Sequence, residues 1–243
     1  MSTELEPITE LVPLPAGHAL ELDIYSPPQD NTDARPAQKI AVLCHPWSWL
    51  GGCKDDPVLV NLAMVFAVTL GIHVFVPNSR GVGNSTGRSS FSGQAEAKDL
   101  EELVQWDTLM DLYLLCATQS SLLRYEHIIY SYLPLSPLPL LTFFHASFYR
   151  DKLGQLAKDP RARLLILHGD RDQFTAIEKY TTWATSLQPV LDQIQETPET
   201  APAKVQIKVV PGADHFWRGR YNGQMRDIIT SWLNEYEQVQ QLS

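Results

Sequence analysis

Cysteine is scarce: Cys44, Cys53 and Cys116 are the only three in 243 residues. That number and scatter exclude a disulfide framework, and no CxxC or Cys/His spacing offers a zinc site. Positive charge is also short. Nineteen Lys and Arg face 28 Asp and Glu, a formal net charge of −9. A binder of phosphate backbones needs a basic face, so nucleic acid is not an expected partner. Long hydrophobic runs are missing as well. The longest, near Val58 to Leu70, is broken by Asn61 and Thr69 and is too short to span a bilayer. The first residues, MSTELEPITELVPL, have neither a basic start nor an apolar stretch, so they do not read as a signal peptide. These absences predict a protein of the cytoplasm with no membrane partner.

The rest of the composition is that of a globular chain. Hydrophobic residues make up 44% and charged residues 19%, enough for a real core. The length predicts a single domain over 1–243. Neither an internal repeat nor a low-complexity tract is visible.

Apolar patterning marks a series of elements. Leu11–Leu14 and Ala19–Tyr25 read as short strands joined at Ala16-Gly17-His18. Pro13 makes the first an edge strand, and the alternation in HALELDIY predicts a half-exposed second strand. Gln29–Gln38 is a loop. Lys39–Cys44 (KIAVLC) is apolar without alternation, the pattern of a strand covered on both faces in a parallel sheet. A helix is expected over Pro57–Leu70, capped by an aspartate before Pro57 and stopped at Gly71. Ile72–Val76 is the next buried strand, and Gln94 to about Thr118 reads as one long helix. Arg163–His168 is a strand, Ala176–Gln188 a helix, Gln188–Ala203 a loop, Val205–Val210 a strand and Met225–Gln238 a closing amphipathic helix. Such alternation predicts a doubly wound, mostly parallel α/β sheet flanked by helices, with its chemistry at the carboxyl ends of the strands. Those ends carry His45-Pro46, Asn78-Ser79-Arg80-Gly81, Asp170 with Asp172, and Asp214-His215.

Asp172 and His215 are the sharpest pair. Each follows a buried strand, with one helix between them, so neighbouring parallel strands would bring both to one sheet edge. A carboxylate beside an imidazole fixes its tautomer and steadies the imidazolium. The structural alternative is that Asp172 caps the next helix and His215 fills a turn.

The set CHPWSWLGG, NSRGVGNSTG, LHGDRDQFT and GADHF resembles the α/β-hydrolase superfamily. In particular it is similar to small intracellular serine hydrolases whose oxyanion loop reads HPxxxxGG. The resemblance runs from about Leu11 to the last helix. It implies Asp172 as the acid, His215 as the general base and backbone N–H groups near Trp47 as half of an oxyanion hole. Such amides stabilise charge developing on the substrate oxygen. It also places His45, Pro46, Trp47 and Arg80 around the pocket and implies no cofactor and no metal. His45 reads as ordering the oxyanion loop. Arg80 either forms a structural ion pair or meets a substrate carboxylate. GVGNSTG has the look of a phosphate loop but lacks the Lys and spacing of one; the family uses this loop as the floor of the site. Cys44, at a strand end, is either a thiol nucleophile or a buried structural cysteine.

The family's nucleophile sits in GxSxG on a sharp strand-to-helix turn, and this chain has no GxSxG. Ser131, after HIIY, keeps the order Ser…Asp…His, but Ile129 and Leu133 stand where the glycines belong. Side chains there would crowd the turn. From Thr118 to Arg163 there are about 45 residues, room for one strand-helix unit of about 30 residues but not two. Either Ser131 is the nucleophile of a degenerate elbow, or the fold is shortened in the middle and one strand, one helix and the nucleophile are missing. The first reading gives a hydrolase of an ester or related acyl bond in a small hydrophobic molecule. Trp47, Trp49, Phe143, Phe144, Phe148 and Tyr149 are candidates to line such a pocket. The second gives a pseudoenzyme, a binding protein, or an acid–base cyclase or lyase using His215 and Asp172.

Overall fold

The computed structural model describes residues 5–28, 39–45, 48–90, 93–105, 111–116, 127–130, 163–173, 176–182, 185 and 205–242. They fall into two compact units, Met1–Glu126 and His127–Ser243.

In the first unit, β1 (Ile8–Pro13) pairs antiparallel with β2 (Ala19–Tyr25), from Ile8 opposite Ile24 to Pro13 opposite Ala19. Proline lacks an N–H, and Pro13 ends a strand that has only β2 beside it among the described residues. β2 runs antiparallel to β4 (His73–Pro77), and β4 runs parallel to β3 (Lys39–Cys44). β2 is more buried than its alternation predicts. Glu21 and Asp23, its polar positions, are 9% and 5% exposed, because each carboxylate has partners. Asp23 accepts hydrogen bonds from Thr9 Oγ1 at 2.6 Å and Lys54 Nζ at 2.8 Å.

Helix α1 spans Pro57–Leu70 as its capping signals require. Asp56 accepts the Val58 N–H, Pro57 occupies the first turn, and Gly71 ends the helix at φ 65°. Leu59, Leu62, Ala63, Phe66 and Ala67 are buried, the three-and-four spacing of a single stripe. α1 packs on β3 and β4.

The long helix expected over Gln94–Thr118 is corrected. Helix α2 ends at Gln105, and Asp111–Cys116 is strand β5, parallel to β3. The run DLYLLC is six residues, three of them leucines that favour helix, and periodicity cannot separate a short apolar run of this kind from a buried helix. Pairing decides it: Lys39 lies opposite Asp111, and the register continues to Cys44 opposite Cys116.

In the second unit, β6 (His127–Tyr130), β7 (Arg163–Gly169) and β8 (Val205–Val210) are parallel, with β7 in the middle. Leu165, Ile166 and Leu167 are consecutive and all at most 1% exposed, so both faces of β7 are covered. Helix α3 (Arg220–Leu242) packs on β7 and β8 and buries Met225, Ile229, Trp232 and Leu233. It starts five residues before the expected Met225, since the polar first turn RYNGQ carries no apolar signal. Among the described residues no helix is long and apolar enough to cross a membrane.

Candidate active site

The ends of β7 and β8 are tied by backbone. Gly169 closes β7 where a Cβ would stand 2.0 Å from the Ala213 carbonyl oxygen. Only glycine allows that approach. Beyond it the Arg171 N–H donates to the Ala213 carbonyl at 3.1 Å, and Asp170 Oδ1 accepts the Gly212 N–H at 2.6 Å. Asp214 Oδ1 in turn accepts the N–H groups of Phe216 and Arg218, at 3.1 and 3.3 Å. This turn holds Trp217 at φ 50° with its side chain 2% exposed. A left-handed backbone costs a bulky residue about 1 kcal/mol, which burial of the indole offsets.

These loops bring Asp172 and His215 together. His215 Nδ1 lies 2.9 Å from Asp172 Oδ2, and the His215 N–H donates to Gln173 Oε1 at 3.2 Å. The side chains are 8% (Asp172) and 14% (His215) exposed. With Nδ1 donating to a carboxylate, Nε2 is the nitrogen left to take a proton. The Tyr180 hydroxyl also donates to Asp172 Oδ2, at 3.1 Å. Tyr180 belongs to the helical segment 177–182 and is 3% exposed. Its ring stacks on His168, with centroids 4.4 Å apart and planes 11° from parallel. Burial pushes the His168 imidazole below its ordinary pKa, against a smaller opposing pull from the Gly169 carbonyl. Phe216 meets the His215 ring edge-on at 5.3 Å, and the Arg218 guanidinium lies 4.4 Å from the Phe216 ring centre.

The other candidates belong to the first unit. His45 is 1% exposed, and its Nε2 accepts the Ser79 N–H at 2.9 Å; it ties the end of β3 to the loop after β4. Arg80 donates through Nε to Asp99 Oδ2 at 2.6 Å, through Nη2 to Asp99 Oδ1, and to the Ala95 carbonyl at 3.2 Å. Its hydrogen bonds to Asp99 outweigh burial and hold the guanidinium proton more firmly than usual. This is the geometry of the structural ion pair. Asp99 also meets His18 Nε2 at 2.8 Å. Cys44 is buried at the end of β3.

The glycine-bearing loop after β4 already holds an anion from within the chain. Glu21 Oε2 accepts from Asn78 Nδ2 at 2.8 Å and from the Asn84 N–H at 2.9 Å, and Oε1 accepts from Asn84 Nδ2 at 2.8 Å. A Cβ on Gly83 would come within 2.4 Å of that Glu21 carboxylate. The loop's donors are spent on Glu21, which is the chemistry of a loop anchor rather than a phosphate cradle.

Pro46, Trp47, Ser131, Phe143, Phe144, Phe148 and Tyr149 lie outside the described residues. Ser131 directly follows β6, the strand paired with β7. The strand thought to be missing from the middle is present as β5, but only residues 117–126, ten in all, separate it from β6. An average helix alone takes about 11 residues. The sequence reading missed Tyr180 and Gln173, whose part in the site comes from tertiary contact and leaves no spacing signal. Ser120 and Ser121, four and five positions after Cys116 in the sequence, lie outside the described residues.

No protein-family model matches the sequence, and no curated protein does either. Solved structures do. An alpha-beta serine hydrolase homologue from Coxiella burnetii is 23% identical, covering 93% of this chain and 97% of that one, with a TM-score of 0.68. XC6422 from Xanthomonas campestris, described as an a/b serine hydrolase without lid, is 20% identical over 95% of both chains, with a TM-score of 0.68. Est1E from Butyrivibrio proteoclasticus with ferulic acid bound is 11% identical over 93% of this chain and 98% of that one, with a TM-score of 0.65. The chain therefore has an α/β-hydrolase fold.

Proposed function

We propose that this chain is a hydrolase of an ester or related acyl bond in a small hydrophobic substrate. The observation that carries the reading is the 2.9 Å contact between His215 Nδ1 and Asp172 Oδ2 at the ends of adjacent parallel strands. In this scheme Ser131 Oγ attacks the acyl carbon and passes its proton to His215 Nε2. Asp172 holds the resulting imidazolium. The proton then goes to the leaving alcohol, and water, deprotonated by the same imidazole, releases the acid. Backbone N–H groups near Trp47 are the proposed oxyanion donors. The chemistry calls for no metal or organic cofactor, and the acidic chain works on a small molecule in the cytoplasm. Ferulic acid, which occupies Est1E, is an aromatic acid of the size and kind proposed for the acyl part.

A second reading has its own support. The ten residues of 117–126, with Ile129 and Leu133 in place of glycines, favour a chain that keeps the acid–base pair and has lost the covalent nucleophile. Such a chain would be a binding protein or pseudoenzyme, or would use His215 and Asp172 for proton transfer in a cyclase or lyase.

Labelling with a fluorophosphonate, read by intact mass and peptide mapping, decides between them. One adduct on Ser131 supports the hydrolase as written. An adduct on Ser120 or Ser121 keeps the hydrolase and moves its nucleophile to that serine. A folded sample that takes no label overturns covalent hydrolysis and leaves the second reading.

A further inference from the structure

We infer that Tyr180 is a positioning residue for the Asp172–His215 pair, setting how strongly His215 holds a proton. The inference rests on reading that pair as an acid–base dyad.

Asp172 Oδ2 accepts two hydrogen bonds, from His215 Nδ1 at 2.9 Å and from the Tyr180 hydroxyl at 3.1 Å. Two donors converging on one oxygen fix the carboxylate plane, so the acid cannot swing from the imidazole. They also share its charge. A neutral donor on a carboxylate withdraws density from it and weakens its pull on a neighbouring cation. Tyr180 therefore holds the dyad in place and moderates the basicity of Nε2.

The phenol is itself held from two sides. Its backbone lies in the helical segment after the acid, and its ring lies flat on His168 at 4.4 Å, on the strand before the acid. The residue is buried, at 3% exposure. The same two loops also carry Asp170, Arg171, Asp214 and Arg218, and the test changes none of them.

Ring-proton NMR titration of His215, identified with His215→Gln, is run on the full chain, Tyr180→Phe and Asp172→Asn. Phenylalanine keeps the ring stack and removes only the hydroxyl. Asp172→Asn is expected to move the His215 titration to lower pH and Tyr180→Phe to move it to higher pH. A fall in the first with no movement in the second overturns the role of Tyr180 and leaves the dyad standing. No movement in either overturns the dyad itself. Should Tyr180→Phe fail to fold, protein labelled at tyrosine Cζ gives the reciprocal measurement. A Tyr180 resonance that shifts on Asp172→Asn supports the role, and one that stays fixed overturns it.

Discussion

Gly169 and Ala213 approach so closely that a methyl group on the first would lie 2.0 Å from the carbonyl oxygen of the second. That contact closes the gap between the two strand ends that present Asp172 and His215. The blocking atom is backbone, so no rotamer change relieves the clash.

Gly169→Ala is therefore expected to lose about 2 kcal/mol or more, as overpacking against a fixed neighbour does. The urea midpoint measures it. The same variant should lengthen the Asp172–His215 contact, so any activity should fall further than the stability loss explains. A variant as stable as the parent would mean that the strand ends separate without cost.

Several elements were legible in the sequence because each has a local signal. α1 has Asp56, Pro57 and Gly71 at its ends, and β3 and β7 are short apolar runs. The acid was legible because it follows such a run, and the base because it follows the strand VQIKVV at the same sheet edge. β5 was not legible, since its three leucines favour helix and only the register against β3 makes DLYLLC a strand. The fixed carboxylates of β2 were not legible either. Alternation assigned Glu21 and Asp23 to solvent, and it takes Asn78, Asn84 and Lys54, residues more than 30 positions away, to show why they are buried.

Arg80 and Asp99 should behave as a coupled pair. Their side chains are 19% and 2% exposed, and Asp99 also meets His18. Asp99→Asn leaves Arg80 with a weaker partner in a largely dry site. The expected cost is about 3 kcal/mol, the low end for a broken buried pair because Arg80 keeps some water contact. Arg80→Met in the same background should cost much less than it does alone. A double-mutant cycle on denaturation midpoints checks the coupling, and additive losses would remove it.

Glu21 makes stability depend on acid. The Asn84 N–H first, and then the Asn84 and Asn78 side chains, outweigh burial and hold its carboxyl below the ordinary 4.5. A lowered folded-state pKa means that the unfolded chain binds the proton first as pH falls. The contribution is therefore complete above about 4.5 and is lost as pH drops through the folded-state value. The stability difference between the parent and Glu21→Gln should be flat from pH 7 to 5 and should shrink below that. Urea melts across the range measure it, and a difference that grows on acidification contradicts the network.

His168 acts in a higher window. Burial keeps its imidazole neutral by pushing its pKa below 6.5, while the unfolded chain takes up a proton near 6.5. Between 6.5 and the lower folded-state value the unfolded chain binds more protons, so stability declines as pH falls through that interval and levels beneath it. His168→Phe keeps a flat ring against Tyr180 and cannot titrate. Its stability should fall less steeply than the parent's between pH 7 and 5, whatever the remaining histidines do, since both proteins share them. Equal slopes in the two proteins would place the His168 ring in contact with water.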